Sequence, residues 1–227
     1  MLTTVHRAAP AELVARGVGY ALNPLIFPPL AAAGVLAHVG APQLEVLRVT
    51  AWFAVLFALV PAAHLLWLLQ RRRIESLEVA ERSARYEPLA AMVALHLLAL
   101  MVVPHAGPSV RTLVAILIGC QLVNAAVVAL ITLRWKVSIH AAAAAGFVAV
   151  ILFFATSTIP PLGEDSAEGI LQPGHALLML PVLGIVMWAR VRVRVHTVRE
   201  VVAGCALGLV LPLIELGMLQ QMGLLRP

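Results

Sequence analysis

Apolar residues run along this chain in long blocks, separated by short breaks that collect arginine, proline, glycine and the acidic side chains. Seven blocks, at 18–38, 49–70, 88–103, 110–133, 139–159, 170–189 and 201–222, approach the length of about twenty residues that a helix needs to cross a bilayer. The third is short and the sixth contains Pro181. A proline is tolerated in a spanning helix where its neighbours satisfy the freed backbone groups, so the pattern predicts six to seven spans, some tilted or kinked. No fixed-period repeat is visible, and no linker is long enough to separate two domains. The expected fold is a single all-α polytopic transmembrane bundle over 1–227.

Composition narrows the class further. With 62% hydrophobic and 12% charged residues and a mean hydropathy of +0.97, there is too little polar material to cover a water-facing surface, since a soluble domain is roughly a quarter charged. A soluble enzyme is excluded, as is a disordered chain, which has low hydrophobicity and high net charge. Cys120 and Cys205 lie inside apolar blocks without the spacing of a metal site or disulfide framework, and read as packing residues. The first block follows about twenty mixed residues and precedes no convincing cleavage site, so it is expected to remain as an anchor.

The net charge of +5 matters less than where the charges fall. When successive blocks are assigned to alternate faces, the N-terminus and the breaks at 71–87, 134–138 and 190–200 hold thirteen of the sixteen basic residues, Arg7 among them. Only Arg48, Arg111 and Arg226 fall on the other face. By the positive-inside rule the crowded face is expected to be cytoplasmic, with the N-terminus inside, in what the reading takes as a bacterial inner membrane. The basic balance is topological on this view and does not point to nucleic acid.

Three polar clusters on the crowded face carry the candidate chemistry. In 189–200, His196 and Glu200 are four apart and share a face if the following helix starts early. The carboxylate would then accept the proton of one imidazole nitrogen and leave the other as a nucleophile. Arg190 adds a guanidinium suited to phosphate oxygens. An interfacial strip of alternating valine and arginine explains the same segment without chemistry. In 134–140, Lys136, Ser138 and His140 alternate and could offer an ammonium, a hydroxyl and an imidazole in one direction if the approach is extended. A histidine at a span entrance also serves as an interfacial residue. In 71–88, the triple arginine reads as a stop-transfer signal, whereas Arg82 and Arg85 are three apart and adjacent if helical.

Together these clusters resemble the type 2 phosphatidic acid phosphatase and vanadium haloperoxidase superfamily over about 74–210. The third motif of that family, Ser-Arg, five residues, His, three residues, Asp, is matched by Ala189-Arg190, His196 and Glu200. Its second motif, Pro-Ser-Gly-His, is matched by Val137-Ser138-Ile139-His140, and Arg82-x-x-Arg85-x-x-Pro88 resembles a variant of the first. Two spans separate successive clusters, so all three reach one face. The chain departs from the family at Ala189, at Glu200 and at Ile139, whose side chain would be strained if the motif glycine needs a positive φ. Pro173-Gly174-His175 mimics the second motif but falls on the opposite face, and reads as a turn before the sixth span.

The resemblance implies hydrolysis of a lipid phosphate or diphosphate (phosphatidic acid, phosphatidylglycerol phosphate or an isoprenoid phosphate) through a phosphohistidine, with no metal or other cofactor. His196 would attack phosphorus, Glu200 would hold its tautomer and His140 would protonate the leaving oxygen. Arg190, Lys136, Ser138, the backbone N–H of Ile139 and one or both of Arg82 and Arg85 would surround the phosphate oxygens. The alternative is an inactive lipid-binding or transport protein of the same fold. Gly204 and Gly208 form a small-xxx-small face that suits close packing within the bundle or a homodimer. Glu215 is an intramembrane carboxylate with either a functional or a packing role. His64, His96, Gln121 and Asn124 are expected to hydrogen-bond between helices.

Overall fold

The structure, a computed structural model, describes residues 9–157, 159, 162 and 170–225. Arg7 and Arg226, both counted in the charge partition, lie outside the described residues. Nine α-helices are described: α1 (Pro10–Ala21), α2 (Phe27–His38), α3 (Gln43–Ala54), α4 (Val60–Gln70), α5 (Tyr86–Val102), α6 (Pro108–Thr132), α7 (Ile139–Thr156), α8 (Pro173–Arg192) and α9 (Val198–Gln221). No strand occurs among the described residues. Two pairs run on, α1 into α2 and α3 into α4, giving seven helical segments long and apolar enough to cross a membrane.

Several segments are longer than the apolar blocks that predicted them. The first begins at Pro10, the second at Gln43, and the third, expected to be short, covers Ser83–His105. Hydropathy marks the length that lipid can solvate, whereas a helix continues through polar first turns wherever its free N–H groups are capped or hydrated. The first segment breaks where Asn23 Oδ1 accepts from Leu25 N (3.0 Å) at a short Pro24–Ile26 turn. The second contains one π turn at Val55–Leu59, just before Pro61, which has no N–H to return to Phe57 O.

The bundle is built around α7. Half of its span is buried, against 17–28% for the others, because the run Ala141–Ala145 lets neighbouring helices approach closely. Helix α9 packs most extensively on α7, with α8 and α2 also against it, and α1 lies on α8. A Cβ on Gly204 would meet the Ser138 carbonyl, and one on Gly208 the Ala142 carbonyl. The small-residue face is therefore used inside the bundle. Large apolar side chains such as Leu98, Met101, Leu177 and Leu178 face outward, where lipid rather than water would cover them.

Candidate functional site

The three polar clusters meet at one end of the bundle, joined mainly through backbone groups. The chain leaves α8 through Arg194 in the left-handed region (φ 56°), and His196 N–H returns to Arg190 O at 3.3 Å. Thr197 then caps α9: its hydroxyl accepts from Glu200 N, while Glu200 Oε2 accepts from Thr197 N, both at 3.3 Å. This reciprocal cap orients the Glu200 carboxylate. The same oxygen lies 2.8 Å from His196 Nδ1. A carboxylate can only accept, so Nδ1 carries the proton and Nε2 keeps a lone pair. Burial, then the cations Arg85, Lys136 and Arg190, push His196 down to about 2. The imidazole is therefore neutral across the physiological range.

His196 Nε2 faces Arg85 Nη2 at 3.2 Å. Arg85 is buried, and it also donates from Nε to Val79 O (2.7 Å) and from Nη1 to Val137 O (2.9 Å). Lys136 Nζ donates to Val195 O at 2.5 Å; burial, then Arg85, lowers the pKa of this ammonium. Ser138 N donates to Glu200 O at 3.1 Å. These bonds fasten the start of α7 to the start of α9.

The expected common direction of Lys136, Ser138 and His140 is not found. Ser138 is fully buried, and its hydroxyl caps α7 by accepting from Ala141 N at 3.4 Å. His140 is already helical, half-buried, and faces the cavity described below. Ile139 opens α7 in helical conformation and is not a positive-φ residue, so the anticipated strain does not arise. The N–H groups of Ile139 and His140 belong to the first turn, which has no intrahelical acceptors. Arg82 stands apart from the cluster: it is exposed and donates to Leu133 O at 3.0 Å, while Arg85 alone turns inward.

Arg190 is 1% exposed. Its Nη1 lies 3.6 Å from Glu78 Oε1, while Nε and Nη2 have no hydrogen-bond partner. Gly19 of α1 sits against it, so close that a Cβ there would stand 2.9 Å from Nη1. Neither Glu78 nor Gly19 was singled out from sequence. Glu78 lies in a polar break like any other, and its role is set by a meeting with a distant helix. Pro173-Gly174-His175 lies at the end of α8 away from Arg190, but it is not the expected turn: all three residues are helical and form the first turn of α8, where His175 helps cap the helix.

Below the charged groups lies a cavity of about 290 Å³. Its mouth has Glu78, Arg85, His140 and His196; its shaft has Phe57, Leu89, Met92, Phe147 and Val150; and His96, Gln121 and Asn124 border its deeper part. Along α7 it runs from Ile139 to Val150, eleven steps of about 1.5 Å or roughly 16 Å, about half the hydrocarbon thickness of a bilayer. Asn124 Nδ2 donates to Cys120 O (2.7 Å) and to Glu215 Oε2 (3.2 Å), tying α6 to α9 as expected of an interhelical group. His96 bonds within its own helix, to Met92 O at 2.7 Å, and also meets the Gln121 side chain of α6, an interhelical contact as expected; His64 Nε2 has no partner.

Compared with protein-family models, curated proteins and solved structures, the chain finds no match in any of the three.

Proposed function

We propose that the protein is an integral membrane phosphatase of the type 2 phosphatidic acid phosphatase kind, acting on a lipid phosphate or diphosphate. The observation that carries this reading is the placement of His196. Its Nδ1 is held by Glu200 and its Nε2 sits among cations, at the mouth of a shaft that is apolar for about half a bilayer's hydrocarbon depth. A charged head at the cations and an acyl or isoprenoid tail in the shaft satisfy both halves of the cavity. A water-soluble substrate would leave the apolar half empty.

In the proposed reaction, the head group draws Arg85 from Nε2, and the freed lone pair forms the N–P bond while the ester P–O bond breaks. His140 takes up a proton only once the anionic head offsets the neighbouring cations, gives it to the departing oxygen and then, neutral again, takes one from the water that attacks the phosphohistidine. Glu200 stabilises the positive charge on His196. Arg85, Arg190, Lys136 and the N–H groups of Ile139 and His140 offset charge on the equatorial oxygens. In this reading Ser138 supports the start of α7 and Arg82 is not part of the site. The site face is cytoplasmic by the distribution of basic residues.

Two observations favour the non-catalytic alternative, a lipid-phosphate binding or transport protein. His196 Nε2 is engaged by Arg85, and no serine hydroxyl joins Arg190 because position 189 is a buried alanine. Phosphate release from diacyl and isoprenoid phosphates by the detergent-purified protein separates the two. The phosphatase reading expects release that is lost in His196→Ala and in His140→Ala while both variants stay folded. Binding of these lipids without release would establish the alternative.

A further inference from the structure

Arg190 and Arg85 are engaged by two adjacent residues of one segment, Glu78 and Val79 respectively. Glu78 places its carboxylate 3.6 Å from Arg190 Nη1, and Val79 accepts from Arg85 Nε at 2.7 Å through its carbonyl. Both residues line the cavity mouth. The pairing with Arg190 is loose, because 3.6 Å is longer than a hydrogen bond and two further guanidinium donors have no partner. A cation that is 1% exposed ordinarily has its donors filled, since desolvation is otherwise uncompensated. The segment is also strained: Val79 has φ 42°, a conformation that β-branched residues adopt only when their surroundings enforce it.

We propose that Glu78 is a built-in competitor for the anion seat. Its carboxylate holds the position of a phosphate in the resting protein, and the 71–82 segment is a lid that a substrate head must displace. Displacement exchanges one loose contact for an oxyanion able to fill the empty donors of Arg190. It also releases Val79 from its strained conformation and takes Arg85 off His196 Nε2.

The device selects for substrate class. A phosphate on a membrane-anchored tail is presented at a high local concentration and displaces the carboxylate, whereas a free phosphate or small soluble ester competes only at its bulk concentration. Glu78 thus restricts the site to anchored phosphates and limits inhibition by inorganic phosphate. The inference rests on the phosphatase reading only for the presence of an anion seat at Arg190.

The test is calorimetric titration of inorganic phosphate into the purified full-length protein in detergent, for the wild type, Glu78→Gln and Arg190→Gln. Glu78→Gln keeps the shape of the side chain, and is expected to bind phosphate about tenfold more tightly. It is also expected to hydrolyse a small soluble phosphate monoester faster, with little gain on a long-chain lipid phosphate. Arg190→Gln loses phosphate binding. Equal affinities of the wild type and Glu78→Gln, with binding still dependent on Arg190, would overturn the competitor while leaving the anion seat intact. No phosphate binding by either protein would overturn both. Hydrogen exchange of the wild type needs no variant to fold: saturating phosphate should speed exchange in 74–80, and protection there would contradict a displaced lid.

Discussion

Substituting alanine for Gly208 introduces one methyl group at a close crossing of α7 and α9. The new Cβ would fall on the Ala142 carbonyl oxygen, with the carbonyl carbon at 2.8 Å and the Cα at 3.0 Å. All three are backbone atoms, so no flexible side chain can give way and α7 and α9 must separate. Overpacking of this kind costs about 3 kcal/mol, offset by up to ~1 kcal/mol from the better helix propensity of alanine, for a net loss of about 2 kcal/mol. Gly119→Ala is the matched control, a helical glycine on α6 with nothing within 4 Å of a new Cβ. It should be neutral or stabilising by up to ~1 kcal/mol. The assay is reversible unfolding in mixed micelles by titration with a denaturing detergent, followed by tryptophan fluorescence. The Ser138 N to Glu200 O bond of 3.1 Å spans the same pair of helices, so phosphate release should fall together with stability. Equal stability of the two variants would refute the argument that small residues here set the approach of α9 to α7.

Other expectations follow from the site. Arg85→Ala should lower phosphate release by about a hundredfold or more, whereas Arg82→Ala should leave it unchanged, because only Arg85 reaches His196; parallel turnover assays decide. Glu200→Gln should lower turnover by about two orders of magnitude or more while the protein stays folded, since an amide no longer fixes the imidazole tautomer. The folded His196 titrates at about 2 and an unperturbed ring at 6.5. Below pH 6.5 the unfolded chain therefore gains a proton that the folded chain does not. Stability present above that pH should fall by about 1.4 kcal/mol per unit of acidification, and His196→Asn should remove that share of the slope, as read from unfolding titrations across pH 4.5–7.5.

The seven long apolar helices, within the expected six to seven, were legible because lipid-facing length is written directly as runs of apolar residues. Their ends were not, since Gln43 and Ser83 continue helices through polar turns that hydropathy does not register. The His196 and Glu200 pairing could be anticipated from four-residue spacing, whereas the Thr197 cap that orients the carboxylate, equally local, was not singled out. The relation of Arg82 to Arg85 could not. Equal spacing on a presumed helix placed them together, whereas the side chains diverge, one to Leu133 and one to Val79, Val137 and His196. Ser138 was legible as a polar residue at a helix start, but a hydroxyl there can cap the helix or face a ligand, and only packing decides. Glu78 and Gly19 acquire their roles solely by meeting Arg190, a tertiary event with no local signature.

The most direct test is to trap the intermediate. The purified protein is incubated with diacyl and isoprenoid phosphates labelled in the phosphoryl group, quenched in denaturing alkali and digested. An acid-labile phosphoryl group on the peptide carrying His196, absent from His196→Asn and accompanied by phosphate release, is the predicted result. Tight binding of the same lipids with neither a labelled peptide nor released phosphate would contradict the account.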